Sequence, residues 1–372
     1  MAILTPIETE KLTALASALI DQEAARVLVE PLERSTGYWF GGGNVIRDRD
    51  GAVLLCGRYR VYGDSRTGIH SGDRGKEAAI FRGEGFEGPF EKVATFTKSD
   101  LSYPDREVVS IEGVALHLTE DGIEFFVSTE KDVSYPERLK EHRKPGAGVW
   151  SIDQLSADAL PNLAPSSLEE VIPAGHAHPE RLHVKDPWPF DLPNGDVVLG
   201  YCTHPFSWSS SATALALRRK GSSTWEALSH DLLRRGPVWD IAAARVTERL
   251  AIPPVGVFAG RERDLSLYFY DSCECLRPLD ENPRAVSRPR GWSCEEIGGI
   301  AVGEDHDLTK VESISLEAPL FLSPHGTGCS RYVATLVDES GIFATWQQSQ
   351  EDLSQPLVGH FLPMERVVEI LS

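Results

Sequence analysis

The chain has 372 residues and a formal net charge of −19, from 37 Lys and Arg against 56 Asp and Glu. Hydrophobic residues make up 41% of it and charged residues 25%, which is typical of a folded globular protein and excludes intrinsic disorder. No apolar run approaches the roughly 20 residues of a transmembrane helix, and an acidic chain without a basic stripe repels phosphate backbones. We therefore expect neither a membrane nor a nucleic-acid partner.

The first 36 residues are predicted to form a helical segment. Apolar residues recur at helical spacing from Ile7 to Ile20, so we predict one or two amphipathic helices over Pro6 to about Val29, ended by Pro31. This stretch lacks the basic start and continuous apolar core of a secretory signal, and we expect a cytoplasmic protein with reduced cysteines. A cap over one face of the fold and a homo-oligomer contact are the two roles open to the segment.

Beyond residue 37, one local pattern repeats five times. A short apolar segment enters a tight turn, and a β-rich segment leaves it. Asp-Gly and Asn-Gly turns between such segments are strong signals of a β-hairpin, because a type I′ turn needs a positive φ at both central residues. The five predicted turns are Asp50-Gly51, Asp121-Gly122, Asn194-Gly195, Arg261 to Asp264 (entered from Val255 to Phe258) and Ser340-Gly341.

The distance between successive turns leaves room for four strands in each repeat. A regular array of four-stranded sheets closes most simply into a propeller. We predict an all-β fold, a five-bladed β-propeller over residues 37–372 preceded by the helical segment 1–36. A β-sandwich with long loops is the alternative. The Pro- and Ser-rich stretch from Leu155 to Gly175 is predicted to be a loop between blades two and three.

Candidate site residues follow from the propeller prediction. The innermost strand of each blade lines the central channel, and the residues just before each hairpin are more polar than a core strand would tolerate. In blades two to four they include three acidic residues: Glu112, Asp186 and Asp240.

At these residues the chain resembles the five-bladed propeller superfamily of arabinanases, β-xylosidases, fructosidases and β-mannoside phosphorylases. Lys185-Asp186-Pro187 is similar to the Arg-Asp-Pro of the fructosidases, whose Asp binds sugar hydroxyls and stabilises the transition state. Glu112-Gly113-Val114 occupies the place of the phosphorylase Glu-Asp-Pro-Arg segment. The stretch from Trp239-Asp240 to Pro253-Pro254-Val255 resembles a phosphorylase stretch with an aromatic residue, an acidic residue and Pro-Pro-Ile.

This resemblance covers about residues 37–363 and implies a glycoside hydrolase acting on a short oligosaccharide or glycoside, with furanosides among its candidate substrates. The hydrolases place an Asp on the first blade as base or nucleophile, whereas this chain has Asn44. An amide binds a hydroxyl but cannot take a proton from water. The base then comes from another blade, or phosphate replaces it, as in a glycoside phosphorylase. A non-catalytic carbohydrate-binding propeller is the third interpretation.

Glycosidic cleavage needs an acid that protonates the leaving oxygen and a carboxylate that either activates water or attacks the anomeric carbon. We expect Glu112 and Asp240 to divide the acid and base roles, and Asp186 to hold a hydroxyl and stabilise the transition state. Salt bridges that fix adjacent blades are the alternative role for each carboxyl. The remaining predicted substrate contacts are Asn44, Arg66, His70, Asp105, Arg106, His183, Trp188, Arg245, His325 and Arg331.

No cofactor is expected. Cys273-Glu274-Cys275 has no second cysteine pair at zinc spacing, so it does not predict a metal site. The resemblance leaves open a structural cation in the channel, as in some arabinanases, with His183 and His325 as its candidate ligands.

Overall fold

The computed structural model describes residues 3–61, 74–143, 147–204, 210–273 and 296–372. Helix α1 spans Pro6–Leu19 and begins with a reciprocal cap at Thr5. The Thr5 hydroxyl accepts a hydrogen bond from the Glu8 backbone N–H, and the Glu8 carboxylate accepts one from the Thr5 N–H at 2.7 Å. The prediction that helical structure continues to Val29 is wrong, because Arg26–Val29 form a strand, β1.

Strands of the described residues form the five sheets of a β-propeller, so the predicted fold class is confirmed. Blade one contains β2 (Trp39–Gly41), β3 (Val45–Arg47), β4 (Val53–Arg60), β5 (Gly75–Gly83) and β6 (Glu91–Thr97). Blade two contains β7 (Val108–Leu118), β8 (Ile123–Lys131), β9 (Val149–Ala157) and β10 (Glu169–Ile172). Blade three contains β11 (His183–Asp191), β12 (Val197–His204), β13 (Ala212–Arg218) and β14 (Trp225–Ser229).

The last two blades follow the same plan, with each strand antiparallel to its neighbour. Blade four contains β15 (Arg245–Ala251), β16 (Leu265–Cys273), β17 (Glu296–Glu304) and β18 (Val311–Ser313). Blade five contains β19 (Ser330–Asp338), β20 (Gly341–Gln348), β21 (Leu357–Pro363) and β1. Helix α2 (Met364–Leu371) follows β21, and short 3₁₀ helices lie at Glu137–His142, Leu160–Asn162, Pro165–Ser167 and Gly256–Phe258.

In blades two to five the predicted turn joins the first two strands, and in blade one it joins β3 to β4, but two neighbouring predictions are corrected. The fourth hairpin is entered from β15, and Val255 to Phe258 lie in the connection instead. Two successive prolines, Pro253 and Pro254, cannot donate ladder hydrogen bonds and exclude this segment from the sheet. The predicted loop Leu155 to Gly175 contains the outermost strand of blade two, β10.

The ring closes through the N-terminal part of the chain. Strand β1 pairs antiparallel with β21, with Arg26 opposite Gly359 and Val27 opposite Val358. Blade five is thus built from both ends of the chain, which ties its first and last strands together. The division of the chain at residues 36 and 37 stays a prediction.

Helix α1 caps blades four and five together with α2. Its residues Leu12, Leu15 and Leu19 are fully buried in one apolar cluster with Val367 and Leu371 of α2. No helix within the described ranges is long and apolar enough to span a membrane.

The packing of α1 predicts a stability cost at Leu15. Its replacement with Ala is expected to lower the free energy of unfolding by about 2–5 kcal/mol, because it leaves a cavity in a close-packed cluster. The matched control is Ile7→Ala in the same helix, where the side chain is 54% exposed and the change should stay within about 0.5 kcal/mol. Urea denaturation of both variants checks this, and equal costs would contradict the burial of α1.

A buried histidine joins the hairpin ends of blades two and three. His117 Nδ1 lies 2.9 Å from Glu124 Oε2, and its Nε2 lies 3.0 Å from Asp191 Oδ1. Arg218 donates to both oxygens of Glu124, at 2.6 and 2.8 Å. Burial alone would lower the pKa of His117, but Asp191 and Glu124 raise it to about 9.

This contact predicts a pH dependence of stability. A raised folded-state pKa stabilises the fold fully below the unfolded value of 6.5, and the gain is lost as pH rises through about 9. The free energy of unfolding should fall by at most roughly 3 kcal/mol over this window. His117→Gln should remove that decrease. Chemical denaturation at pH 6, 7.5 and 9.5 measures it, and an unchanged slope in the variant would contradict the assignment.

Candidate functional site

The inner strands of blades two to five share an irregularity near their N-terminal ends. Register shifts interrupt the pairing with the second strand between Ile111 and Val114, Lys185 and Trp188, Val246 and Glu248, and Arg331 and Ala334. In blade one the inner strand is split into β2 and β3. Such bulges re-aim side chains and are common beside active sites.

Two residues at these bulges have a strained backbone. Asp186 and Tyr332 adopt φ values of 55° and 56°, which are uncommon for residues other than glycine. Asp186 is held from blade two, since the Gly113 N–H donates to its Oδ1 at 3.0 Å. A Cβ atom at Gly113 would lie 2.5 Å from that oxygen, so only glycine permits this approach. The carboxyl of this residue with a strained backbone is therefore held in place by two blades together.

Buried charges of all five blades lie together around the axis, some at the bulges and others at the adjoining ends of second and third strands. We call these residues the central charge cluster. Each is almost completely buried, and contacts between them cross from blade to blade. The members are Arg58, Arg60, Arg74, Glu112, Glu130, Lys185, Asp186, Arg245, Asp271, Glu296 and Arg331.

Glu112 is the carboxylate most strongly surrounded by cations. Its Oε1 accepts a hydrogen bond from the Ser110 hydroxyl at 2.9 Å, and its Oε2 lies 3.7 Å from Arg58 Nη2. Burial raises the pKa of Glu112, but Lys185, Arg58 and further arginines outweigh it and lower the pKa to about 2. Glu112 is therefore ionised at any pH at which the protein would work.

Asp186 and Lys185 leave hydrogen-bonding capacity unused. The buried Oδ2 of Asp186 has no hydrogen-bond partner among the described residues. Its neighbouring cations are Lys185 Nζ at 3.8 Å and Arg245 Nη1 at 3.7 Å, both beyond hydrogen-bonding distance. Burial lowers the pKa of Lys185, but Asp186 and Glu112 raise it above its usual value, so the ammonium stays charged. An unpaired acceptor next to unpaired donors fits a polar ligand.

The other half of the cluster is tightly paired. Arg245 Nη2 lies 3.1 Å from Asp271 Oδ2 and 3.3 Å from Glu296 Oε2, and Arg331 also pairs with Glu296. The guanidinium groups of Arg245 and Arg331 stand over the ring of Tyr332, at 4.5 and 5.1 Å from its centroid. These contacts pair the charges of blades four and five with one another.

Four of the predicted site residues thus meet at the axis: Glu112, Asp186, Arg245 and Arg331. Asp240 contacts a different group. Its Oδ2 accepts a hydrogen bond from the Tyr270 hydroxyl at 3.1 Å, and burial raises the pKa of its carboxyl. No ion pair within the described ranges links Asp240 to the central charge cluster.

Asn44 also has a different environment from the cluster. Its amide donates to the Leu116 carbonyl and accepts from the Leu116 N–H, both at 2.8 Å, and its Oδ1 also lies 3.1 Å from Cys56 Sγ. The side chain therefore imitates a strand pairing between blades one and two. This explains an amide at this position, because a carboxylate could accept but not donate.

Other predicted contacts lie outside the cluster. Arg106 pairs with Glu170 at 3.1 Å and lies near the exposed Asp105. Trp188 is buried and stacked on Phe190 in the core between blades three and four. His325 is half-buried, and its Nδ1 lies 3.8 Å from Glu351. Arg66 and His70 fall outside the described residues.

His183 is buried beside Lys185. Its Nε2 lies 3.0 Å from the Tyr135 hydroxyl and its Nδ1 accepts from the Trp150 N–H at 3.5 Å. Burial, with Lys185 nearby, lowers the pKa of His183 to about 3. Because protein groups engage both ring nitrogens, His183 does not fit a channel cation. Over the described ranges, no group of three or more His, Cys, Asp and Glu side chains is arranged to hold a metal ion.

The part of the cluster that comes from second and third strands was not predicted from the sequence. The prediction rested on inner strands alone, whereas these members lie near an end of a neighbouring strand. The sequence did contain a signal for these residues. Two strands that are mostly apolar end in charged residues: Val53–Arg60 and Ile123–Lys131. The missed members are Arg58, Arg60, Arg74, Glu130, Asp271 and Glu296.

Comparisons with known proteins agree with the fold. No family model and no curated protein matches the sequence. Among solved structures, a glycoside hydrolase superposes with a TM-score of 0.61 at 10% identity, covering 96% of this chain and 95% of that one. The protein BT0996, solved as an RGII complex, gives 0.60 at 10% identity, with 96% of both chains covered.

An α-L-arabinofuranosidase from Lactobacillus brevis gives a TM-score of 0.56 at 12% identity, covering 91% of this chain and 93% of that one. At such low identities the likeness concerns the fold. The chain is a five-bladed β-propeller that resembles these proteins over nearly its whole length.

Proposed function

We propose that the protein is a glycoside hydrolase that cleaves a glycosidic bond of a short oligosaccharide or glycoside by carboxylate catalysis at the central charge cluster. The observation that carries this proposal is the pair Glu112 and Asp186, brought together at the axis with unused hydrogen-bonding capacity beside them. The fold likeness to two proteins named as glycosidases supports it.

A sugar hydroxyl fits the gap beside Asp186. Lys185 Nζ and Asp186 Oδ2 are 3.8 Å apart. A hydroxyl adjacent to both can accept a hydrogen bond from the ammonium and donate one to the free carboxyl oxygen. Leaving a buried polar atom unsatisfied costs about 1–3 kcal/mol. A polyhydroxylated ligand removes this cost on binding, whereas an apolar ligand does not.

The environments of the two carboxyls divide the catalytic work. Glu112 is held ionised, so it can take a proton from the attacking water or attack the anomeric carbon itself. The leaving oxygen needs a proton, and three carboxyls of the described residues have a buried oxygen without a hydrogen bond: Asp186, Asp240 and Glu296. Glu296 is paired with Arg245 and Arg331, and Asp240 has no ion pair to the cluster within the described part of the chain, so Asp186 is the candidate beside Glu112. Glu130 and Asp271 are less suited, since each accepts a hydrogen bond from an arginine, whereas the cations nearest to Asp186 lie beyond hydrogen-bonding distance. This proposal gives the acid role to Asp186, whereas the sequence predicted that Glu112 and Asp240 divide the acid and base roles.

Turnover of a panel of aryl α-L-arabinofuranosides and β-D-xylosides tests the proposal. We expect sugar release in phosphate-free buffer, with no increase when inorganic phosphate is added. Turnover that requires phosphate would indicate a phosphorylase. Saturable binding of the released sugars without turnover of any glycoside would indicate a binding protein, and either result would overturn the hydrolase assignment.

A further inference from the structure

A polar cavity, which we call the rim cavity, lies at the same end of the propeller as Asp186. Its volume is about 600 Å³, which is within the usual range for small-ligand sites. Its lining comes from the start of blade three and from the segment that leads into blade four. The polar residues of the lining are Arg181, Ser210, Ser211, Asp231, Arg234 and Arg235.

The topology places this rim cavity beside the central charge cluster. Ser211 pairs with Ala243, two residues before Arg245, and Arg245 lies 3.7 Å from Asp186. Strands β11 and β13 are separated by one strand, so their backbones are about 10 Å apart. A short oligosaccharide bound at Asp186 therefore reaches the cavity.

The charge of the rim cavity is positive and largely uncompensated. Asp231 lies 3.7 Å from Arg181, so this pair is balanced. Arg235 reaches only the Ile241 carbonyl, at 3.5 Å, and neither Arg235 nor Arg234 has a carboxylate within 4 Å among the described residues. Both side chains belong to exposed residues. Two adjacent arginines that face a cavity without acidic partners suit an anionic group.

The central charge cluster has the same sign. It contains six cations and five carboxylates, and three of the cations are closely paired: Arg74 with Glu130, Arg245 with Asp271 and Arg331 with Glu296. The other three cations act on Glu112 and Asp186. The chain as a whole has a net charge of −19 and repels anions. An anionic ligand is therefore attracted only where positive charge is concentrated, as it is in this cluster.

We propose that the substrate is an anionic glycoside, whose carboxylate or sulfate group is bound by Arg234 and Arg235 in the rim cavity while the neighbouring sugar occupies the site at Asp186. This inference rests on the proposed function, and it specifies the substrate class. The two arginines bind the charged group and take no part in bond cleavage.

Calorimetric titration with trigalacturonate and with its methyl ester tests the charge requirement, because the ester keeps the sugar skeleton and removes the charge. We expect the acid to bind at least about 10-fold more tightly than the ester at low salt. The double variant Arg234→Gln/Arg235→Gln should reduce this preference to within about 3-fold. Galactose 6-sulfate, compared with galactose, is the second arm, and a preference seen only there identifies a sulfate ester as the source of charge.

The matched control is Arg263→Gln, an exposed arginine in the hairpin turn at the opposite end of blade four, which should leave both affinities unchanged. Equal binding of charged and neutral ligands, no binding of either charged ligand, or an unaltered preference in the double variant would overturn the inference. If neutral aryl glycosides are still hydrolysed in that case, the proposed function stands without it.

Discussion

Replacement of Glu112 with Gln is expected to lower kcat/KM about 10³-fold, because the amide keeps the shape of the side chain but cannot act as a base or nucleophile. The amide oxygen can still accept the hydrogen bond from Ser110, so the fold should persist. Steady-state kinetics on the best aryl glycoside, together with a thermal melt, measures both effects.

The pH profile gives a second measure of the same residue. The ionised form of Glu112 is the active form, and its lowered pKa means that activity is lost only as pH falls through about 2. The wild-type profile should therefore show no acid limb near pH 4.5 that can be assigned to this group. An acid limb at that pH that disappears in the Gln variant would contradict the role of the surrounding cations.

The matched control is Glu248→Gln. Glu248 also lies on an inner strand and is half-buried. Desolvation raises its pKa to about 7, but it accepts from the Thr335 and Arg249 N–H groups and lies outside the central charge cluster. This variant should lose stability and keep its kcat. If it loses as much activity as Glu112→Gln, the loss reflects general damage from removing a hydrogen-bonded carboxylate of an inner strand.

Replacement of Asp186 with Asn is expected to lower kcat/KM about 10²- to 10⁴-fold on glycosides with poor leaving groups, since these need protonation of the departing oxygen. The loss should be much smaller on 4-nitrophenyl glycosides, whose leaving group departs without a proton. A residue that only holds a hydroxyl would lose activity equally on both. The comparison of methyl and 4-nitrophenyl glycosides therefore separates the acid role from a binding role.

Asp240→Asn is the control for this change. The amide can still accept the hydrogen bond from Tyr270, so both activities should stay within about 3-fold of the wild type. If this variant shows the dependence on leaving group and Asp186→Asn does not, the acid is Asp240, one of the two acid candidates predicted from the sequence. Equal and small effects in both variants would exclude the two carboxyls as acids.

The sequence by itself determined the turns and hence the number of blades. Asp-Gly, Asn-Gly and Ser-Gly pairs act through local backbone preferences, which hold wherever the segment lies in the fold. The polarity of the inner strands placed Glu112, Asp186, Arg245 and Arg331 among the candidates, with Asp240 and others, because a buried core would not accept them without partners.

The tertiary structure alone decided which charges meet and which do not. Asp240 and Asn44 lie in connections before inner strands and have suitable side chains, yet each is hydrogen-bonded by neighbours that no local pattern specifies. Conversely, Arg58 and Glu130 come from second strands, and the register between strands and blades brings them to the axis. Strand β1 resembled a helix because four residues carry little periodicity, and only pairing with β21 defines it. Local turns follow from short sequences, whereas contacts between distant strands depend on bulges and ring closure, which arise only when the whole sheet array packs.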